Sequence, residues 1–355
     1  MSFEFGIYTF GDVTPVPGIR KTDIAKRRLD EVTAAAVLAD EAGLDFFGVG
    51  EHHTHSFSIS APSVVLGAIA GQTKRIKLTS ATTVLNTVDP VRLFEEFSTL
   101  DLLSNGRAEI AAGRGALVFA DTYDLFGYSL EEYDSLFDEK IRLLLQLNAE
   151  ESITWNGRFR PSLHQADVAP RPIRPEGLPI WISVGRTPES AVRAGTLGTG
   201  ISFGLLSGDP NRLKPLADLY REAGRAAGHD PSKLQIGVSS HGHIAKTEKQ
   251  ALDNYYPHHT HYFQHIQKRP VADRLPRADF DRMTAADQGL AVGTPSQIVE
   301  KILYQHELLG HNRYCLQLDI GGLPYPLVAQ SIELLATEVA PAVRRALANR
   351  STPAL

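Results

Sequence analysis

Cysteine is almost missing from this chain of 355 residues, and the single one, Cys315, leaves no partner for an internal disulfide. Such usage fits a reducing compartment. Long apolar runs are missing as well. No uncharged stretch approaches the roughly 20 residues that a membrane helix needs. Neither sign of charge dominates: 36 Lys and Arg stand against 41 Asp and Glu, a net charge of -5. That balance gives no electrostatic footprint for nucleic acid or an anionic membrane. The opening Met1-Ser2-Phe3-Glu4-Phe5-Gly6 lacks a basic segment followed by an apolar stretch, so no signal peptide is expected there. Internal repeats and low-complexity tracts are not found. What remains is 43% hydrophobic and 22% charged residues, the composition of a soluble globular enzyme with a large core. The expected location is the cytoplasm.

Short apolar runs alternate with amphipathic stretches. Strands are predicted at 3–10, 44–49, 76–85, 107–112, 178–184, 199–206, 234–245 and 313–318. Helices are predicted at 24–42, 62–72, 90–103, 189–195, 210–227, 295–309 and 326–339. Proline at the first turn and glycine just past the end mark several of them. Eight strands with helical connections close most naturally into an α/β (β/α)₈ TIM barrel. The expectation is one barrel domain over residues 1–345 with two insertions and a tail at 346–355. Asn156-Gly157 between apolar runs signals a hairpin near 151–161. Residues 254–290, rich in histidine, proline and charge, read as a lid or an oligomer contact.

Chemistry concentrates at Gly48-Val49-Gly50-Glu51-His52-His53-Thr54-His55, directly after the second strand. Strand ends of α/β folds face the ligand crevice, and imidazoles there exchange protons near neutral pH. Glu51 and His52 are the candidate acid/base pair. His53 and His55 also read as a metal pair, but the later strand ends supply no further ligand, so no metal is expected. Loop histidines that only fill space are the third reading. At Ser80 to Pro90 small residues end a strand, letting a flat ligand approach the backbone or simply packing tightly. Arg114 stands between Gly113 and Gly115, suited to a phosphate or to a salt bridge in a loop. After Gly185 and Arg186, Thr187 occupies an N-cap position before Pro188, and Ser190 adds a hydroxyl. A helix N-terminus of this kind favours phosphate, although a capped helix without ligand starts the same way. His258, His261 and His265 share one helical face, expected to be solvated, and Tyr255, Tyr256, Tyr262 and Phe263 are expected to pack the insertion on the barrel.

These blocks, in this order, resemble the bacterial luciferase-like family of flavin-dependent monooxygenases. The resemblance rests on Gly48 to His53, Ser80 to Leu85 with Asp89 to Arg92, Leu100 to Arg107, and Gly113 to Gly115 with Phe126 to Tyr128. Pro179 to Gly185 with Thr187 to Ser190, and Val292 to Pro295, complete it. It spans nearly the whole chain, from about Phe5 to Ala342. The resemblance implies a homodimer built through helices beside the second and third strands. It implies reduced FMN supplied by a separate flavin reductase, O₂, and a small organic substrate oxygenated through a flavin hydroperoxide. It makes His52 the base or proton donor, and Glu51 is assigned to orienting the pair His52 and His53. Ala81 and Thr82 become the non-proline cis peptide beneath the flavin ring. Arg114, Gly185, Arg186, Thr187 and Ser190 become the phosphate site. Arg186 departs from the small residue or serine frequent there. Gly113 stands where the luciferases carry a reactive cysteine, so light emission is not implied. Three alternatives stay open: a deazaflavin-dependent hydride-transfer oxidoreductase, a non-catalytic flavin-binding relative, and a metal hydrolase built on His53 and His55.

Overall fold

The protein, seen in a computed structural model, is described over residues 3–115, 119–266 and 275–351. Strands β1 (Glu4–Thr9), β2 (Phe46–Val49), β3 (Lys77–Ser80), the two-residue β4 (Thr83–Val84) and β5 (Ala108–Gly113) come first. β6 (Ser152–Trp155) and β7 (Leu163–Asp167) form a separate antiparallel hairpin. β8 (Ile180–Val184), β9 (Gly200–Leu206), β10 (Ile236–Ile244), β11 (Ala291–Gly293) and β12 (Arg313–Gln317) follow. The barrel strands pair in parallel, in the order β10-β12-β1-β2-β3-β5-β8-β9, and β9 pairs back to β10 to close an eight-stranded barrel. β11 adds to the far end of β10 through Gly242 to Ile244.

The helices explain the punctuation of the sequence. α1 (Lys21–Ala42) ends at Gly43, whose φ of 85° suits glycine alone. α2 (Pro62–Ala70) and α3 (Pro90–Leu103) each begin with proline, and the Asp89 carboxylate caps α3 by accepting from the Val91 and Arg92 amides. α4 (Asp121–Phe126) and α5 (Tyr133–Ala149) lie between β5 and β8 and were not predicted. α6 (Pro188–Leu197), α7 (Lys214–Ala226), α8 (Glu248–His261), α9 (Arg277–Met283), α10 (Pro295–Leu309) and α11 (Tyr325–Leu334) complete the ring. α12 (Ala340–Ser351) runs into residues read as a tail from the sequence, because Val343 is buried on its inner face. Residues 352–355 and 267–274 of the expected tail and lid lie outside the described residues.

Two expectations change. The strand expected over 76–85 is interrupted at Ala81–Thr82, where the peptide bond is cis, and resumes as β4. The histidine face of α8 is half-buried and engaged rather than solvated. His258 Nδ1 pairs with the Gly321 carbonyl at 2.9 Å, His261 Nε2 lies 3.4 Å from Thr14 Oγ1, and His259 is buried. The His265 side chain lies outside the described residues.

Inside the barrel the residues alternate as strand geometry requires. At the N-terminal end β1, β3, β5 and β12 place Glu4, Lys77, Glu109 and Arg313 together. Arg313 meets Glu109 at 2.6 Å and Glu4 at 3.6 Å; Lys77 meets Glu109 at 3.5 Å and also pairs with Glu4. Burial alone would raise the Glu109 carboxyl, but the charges of Arg313 and Lys77 hold it below the usual carboxylate range. This paired layer floors the lumen. Above it small residues leave a cavity of about 460 Å³ opening at the C-terminal end of the barrel.

Candidate active site

Of the nine candidate side chains, Glu51, His52, Ala81, Thr82, Arg114, Gly185, Arg186 and Thr187 line this cavity, and Ser190 bonds directly to Arg114. The Ala81–Thr82 turn drops into the lumen because its neighbours on β2 and β5 are glycine. A Cβ on Gly48 would approach Ala81 Cβ to 2.8 Å, and one on Gly113 would approach Thr82 Oγ1 to 2.6 Å. Gly185 faces open space.

Across the mouth, Arg114 Nη2 donates to Ser190 Oγ at 2.9 Å and to Thr187 Oγ1 at 3.3 Å. The two hydroxyls are 2.6 Å apart. Thr187 keeps the extended backbone of an N-cap residue, but its side chain turns toward Arg114 instead of capping an amide. The first-turn amides of α6 therefore lack the side-chain partner expected for them, and they open beside a guanidinium and two hydroxyls. Arg186 is exposed on the same rim. The salt bridge read as the alternative for Arg114 is present too: Arg114 is paired with the exposed Asp134 and lies 4.7 Å over the Tyr133 ring. Both come from α5. Tyr123 and Tyr133 donate their hydroxyls to the Arg114 and Gly115 carbonyls at 2.6 and 2.7 Å, fixing the loop that carries the arginine. Lys140 secures the chain after β4 by donating to the carbonyls of Asn86 and Val88. Its burial draws the ammonium down to about 8.

On the opposite rim, the His52 ring stacks on Phe57 at 4.0 Å and contacts Phe10 and Phe119 at 4.5 and 4.7 Å. Burial, aided by His53, pushes its pKa down to about 3, so the imidazole is neutral at physiological pH. Its Nδ1 is buried with no hydrogen-bond partner. Glu51 does not touch His52. Its carboxylate accepts from the Val84 amide at 2.9 Å and meets His53 Nε2 at 2.8 Å, tying the β2 loop to β4. His53 is thus engaged, and no group of three potential metal ligands occurs among the described residues.

β10 adds a residue the sequence reading passed over. His241 is completely buried and lines the cavity with Ser239 and Gly237. The signal was available in the alternation of Gly237, Ser239, His241 and His243 against Val238, Ser240 and Gly242.

The family model for luciferase-like monooxygenase matches residues 3–312. This chain belongs to that family. It is 23% identical over 344 residues to the oxygenase component of flavin-dependent trigonelline monooxygenase from Acinetobacter baylyi, with 92% of each chain covered. It is 29% identical over 225 residues to the F420-dependent glucose-6-phosphate dehydrogenase of Kineococcus radiotolerans, covering 62% of this chain and 65% of that one. The crystal structure of monooxygenase RslO1 from Streptomyces bottropensis superposes with a TM-score of 0.83 at 26% identity, over 96% of this chain and 99% of that one. The chain is therefore an enzyme of the luciferase-like class on a TIM barrel, with relatives that are flavin-dependent monooxygenases and F420-dependent oxidoreductases. Among the described residues no helix is long and apolar enough to cross a membrane.

Proposed function

We propose that this chain is the oxygenase of a flavin-dependent monooxygenase system, binding reduced FMN and using O₂ to oxygenate a small organic substrate. The observation that carries the reading is the anion site of Arg114, Thr187, Ser190 and the α6 amides. It faces the Ala81–Thr82 shelf across one cavity, as a flat ring with a phosphate tail requires. Reduced FMN, when bound, would supply the electrons for O₂ activation. Arg114, Thr187 and Ser190 would hold its phosphate, and Arg186 would add a second positive charge at the rim. Ala81 and Thr82 would bear the ring. Gly185 would leave the approach to α6 open. His52, resting as a neutral imidazole, would accept a proton or a hydrogen bond at Nδ1. Glu51 acts one step away, fixing the loop that carries His52. The Phe10, Phe57 and Phe119 rings exclude water around that imidazole.

The same reading includes a homodimer and a separate flavin reductase. Exposed Val64 on α2 and Leu103 on α3 supply an apolar face for a second copy. A cytoplasmic setting agrees with the single buried thiol of Cys315.

The test mixes the protein with reduced FMN and oxygenated buffer in a stopped-flow instrument. Flavin absorbance recovering far more slowly than that of free reduced FMN is the expected result, with His52→Ala keeping FMN affinity but losing substrate oxygenation. Recovery at the free-flavin rate, with tight binding of reduced F420 instead, would replace this reading by the hydride-transfer one that the Kineococcus relative represents.

A further inference from the structure

The cavity has two unlike walls. Those formed by β3, β5 and β8 carry the shelf and the anion site. The opposite wall, from β10, β12 and β1, presents His241, Cys315 and Tyr8 to the cavity, with Gln317 buried beside His241. His241 and Gln317 are register partners on adjacent strands and both are fully buried. Gln317 approaches the imidazole without the alignment of a hydrogen bond, and neither ring nitrogen of His241 nor either amide atom of Gln317 has a partner of good geometry. Rings of Tyr262 and Phe263 close over His241 at 5.8 and 6.0 Å. A fully buried imidazole that lines a cavity and lacks a partner is costly to keep unless something arrives to meet it.

The charges decide what can arrive. Among the described residues, Arg114, Arg186 and Arg313 are the cations that line the cavity. Arg114 and Arg186 lie at the anion site. Arg313 belongs to the floor, its charge met by Glu109, its guanidinium held 3.8 Å from the Phe46 ring and 4.6 Å from the Trp181 ring. The groups facing His241 from β12 and the α8 segment are Gln317, His259, Tyr262 and Phe263, and none brings a positive charge: burial and neighbouring His259 hold the His241 imidazole neutral. An anion buried here would lose its hydration with no cation to replace it, whereas a neutral oxygen would satisfy the orphaned ring.

We propose that the β10–β12–β1 wall is the substrate subsite, and that it selects an uncharged molecule whose apolar skeleton carries one hydrogen-bonding oxygen, a ketone or alcohol, placed against His241. This rests on the reading above only in assigning the opposite wall to the cofactor.

The test is calorimetric binding of cyclooctanone and cyclooctanecarboxylate to the full chain at pH 7.5, with FMN affinity measured separately. The ketone is expected to bind at least tenfold tighter than the carboxylate. His241→Ala should weaken the ketone about three- to tenfold, the range of one neutral hydrogen bond. His241→Gln should recover most of that loss, and FMN affinity should not change in either variant. If the alanine variant does not fold, His241→Phe fills the space without a hydrogen-bonding group and should show the same weakening. Equal or tighter carboxylate binding, no measurable ketone binding, or ketone affinity indifferent to position 241 would overturn the inference. Failure of wild-type protein to bind FMN, with the ketone preference and its loss intact, would instead remove the cofactor reading and leave this one standing.

Discussion

The two ends of the barrel treat buried polar groups in opposite ways. At the N-terminal end Glu4, Lys77, Glu109 and Arg313 are charged, and each meets its counter-charge. At the C-terminal end His52 Nδ1, His241 and Gln317 are buried and lack partners. Paired charge makes a floor that stays shut; unpartnered neutral groups make a surface that waits for a ligand. The contrast separates residues that hold the barrel from residues that use it, although all of them point into the same lumen.

The comparison breaks most visibly at the floor. Glu109→Gln leaves the Arg313 guanidinium buried without its closest counter-charge, and the expected loss of stability is about 3–5 kcal/mol. Urea unfolding measures it; a loss under 1 kcal/mol would mean that the floor is no firmer than the top. Arg114→Ala should do the reverse. Its partners Asp134, Thr187 and Ser190 are at the rim, so stability should hold. FMN affinity should fall about 10- to 100-fold, as for lost hydrogen bonds to a charged group. Unchanged FMN affinity would take Arg114 out of the phosphate site. A third effect is spread over several groups. His52, His241 and His311 are pushed down to about 3 and His243 to about 4, burial being the first cause for each. The fold refuses protons that the unfolded chain accepts below about 6.5. Stability is therefore full above that pH and falls as pH drops through 5 toward 4. Each imidazole contributes up to about 1.4 kcal/mol per pH unit. Asp12, which burial raises to about 7 against the pull of Arg28, works in the opposite direction. Urea midpoints that do not move between pH 6.5 and 4.5 would contradict these buried, neutral imidazoles.

Much of the frame was legible because the signals are local. Eight apolar runs became eight barrel strands, and Pro62, Pro90 and Pro295 marked helix starts to the residue. That Arg114, Thr187 and Ser190, proposed above as the phosphate site, come together was readable because glycine and a helix start flank them. The rest depends on tertiary geometry. Helix α5 was missed, and with it Tyr133 and Asp134, whose meaning comes from lying beside an arginine 20 residues earlier. Glu51 was expected to orient both histidines, yet it reaches only His53, since the carboxylate is committed to the Val84 amide. His241 looked like an ordinary strand residue until barrel closure left it between Gln317 and Tyr262.

Asp134 gives the proposed anion site a property of its own. Its carboxylate is 68% exposed, while the Arg114 side chain it pairs with is only 18% exposed. An incoming phosphate would exchange one oxyanion for another and return the displaced carboxylate to water. The net hold on the newcomer is then a difference between two ion pairs rather than the strength of one. If the flavin proposed above is delivered reduced and taken away oxidised, such competition would favour its turnover over permanent residence.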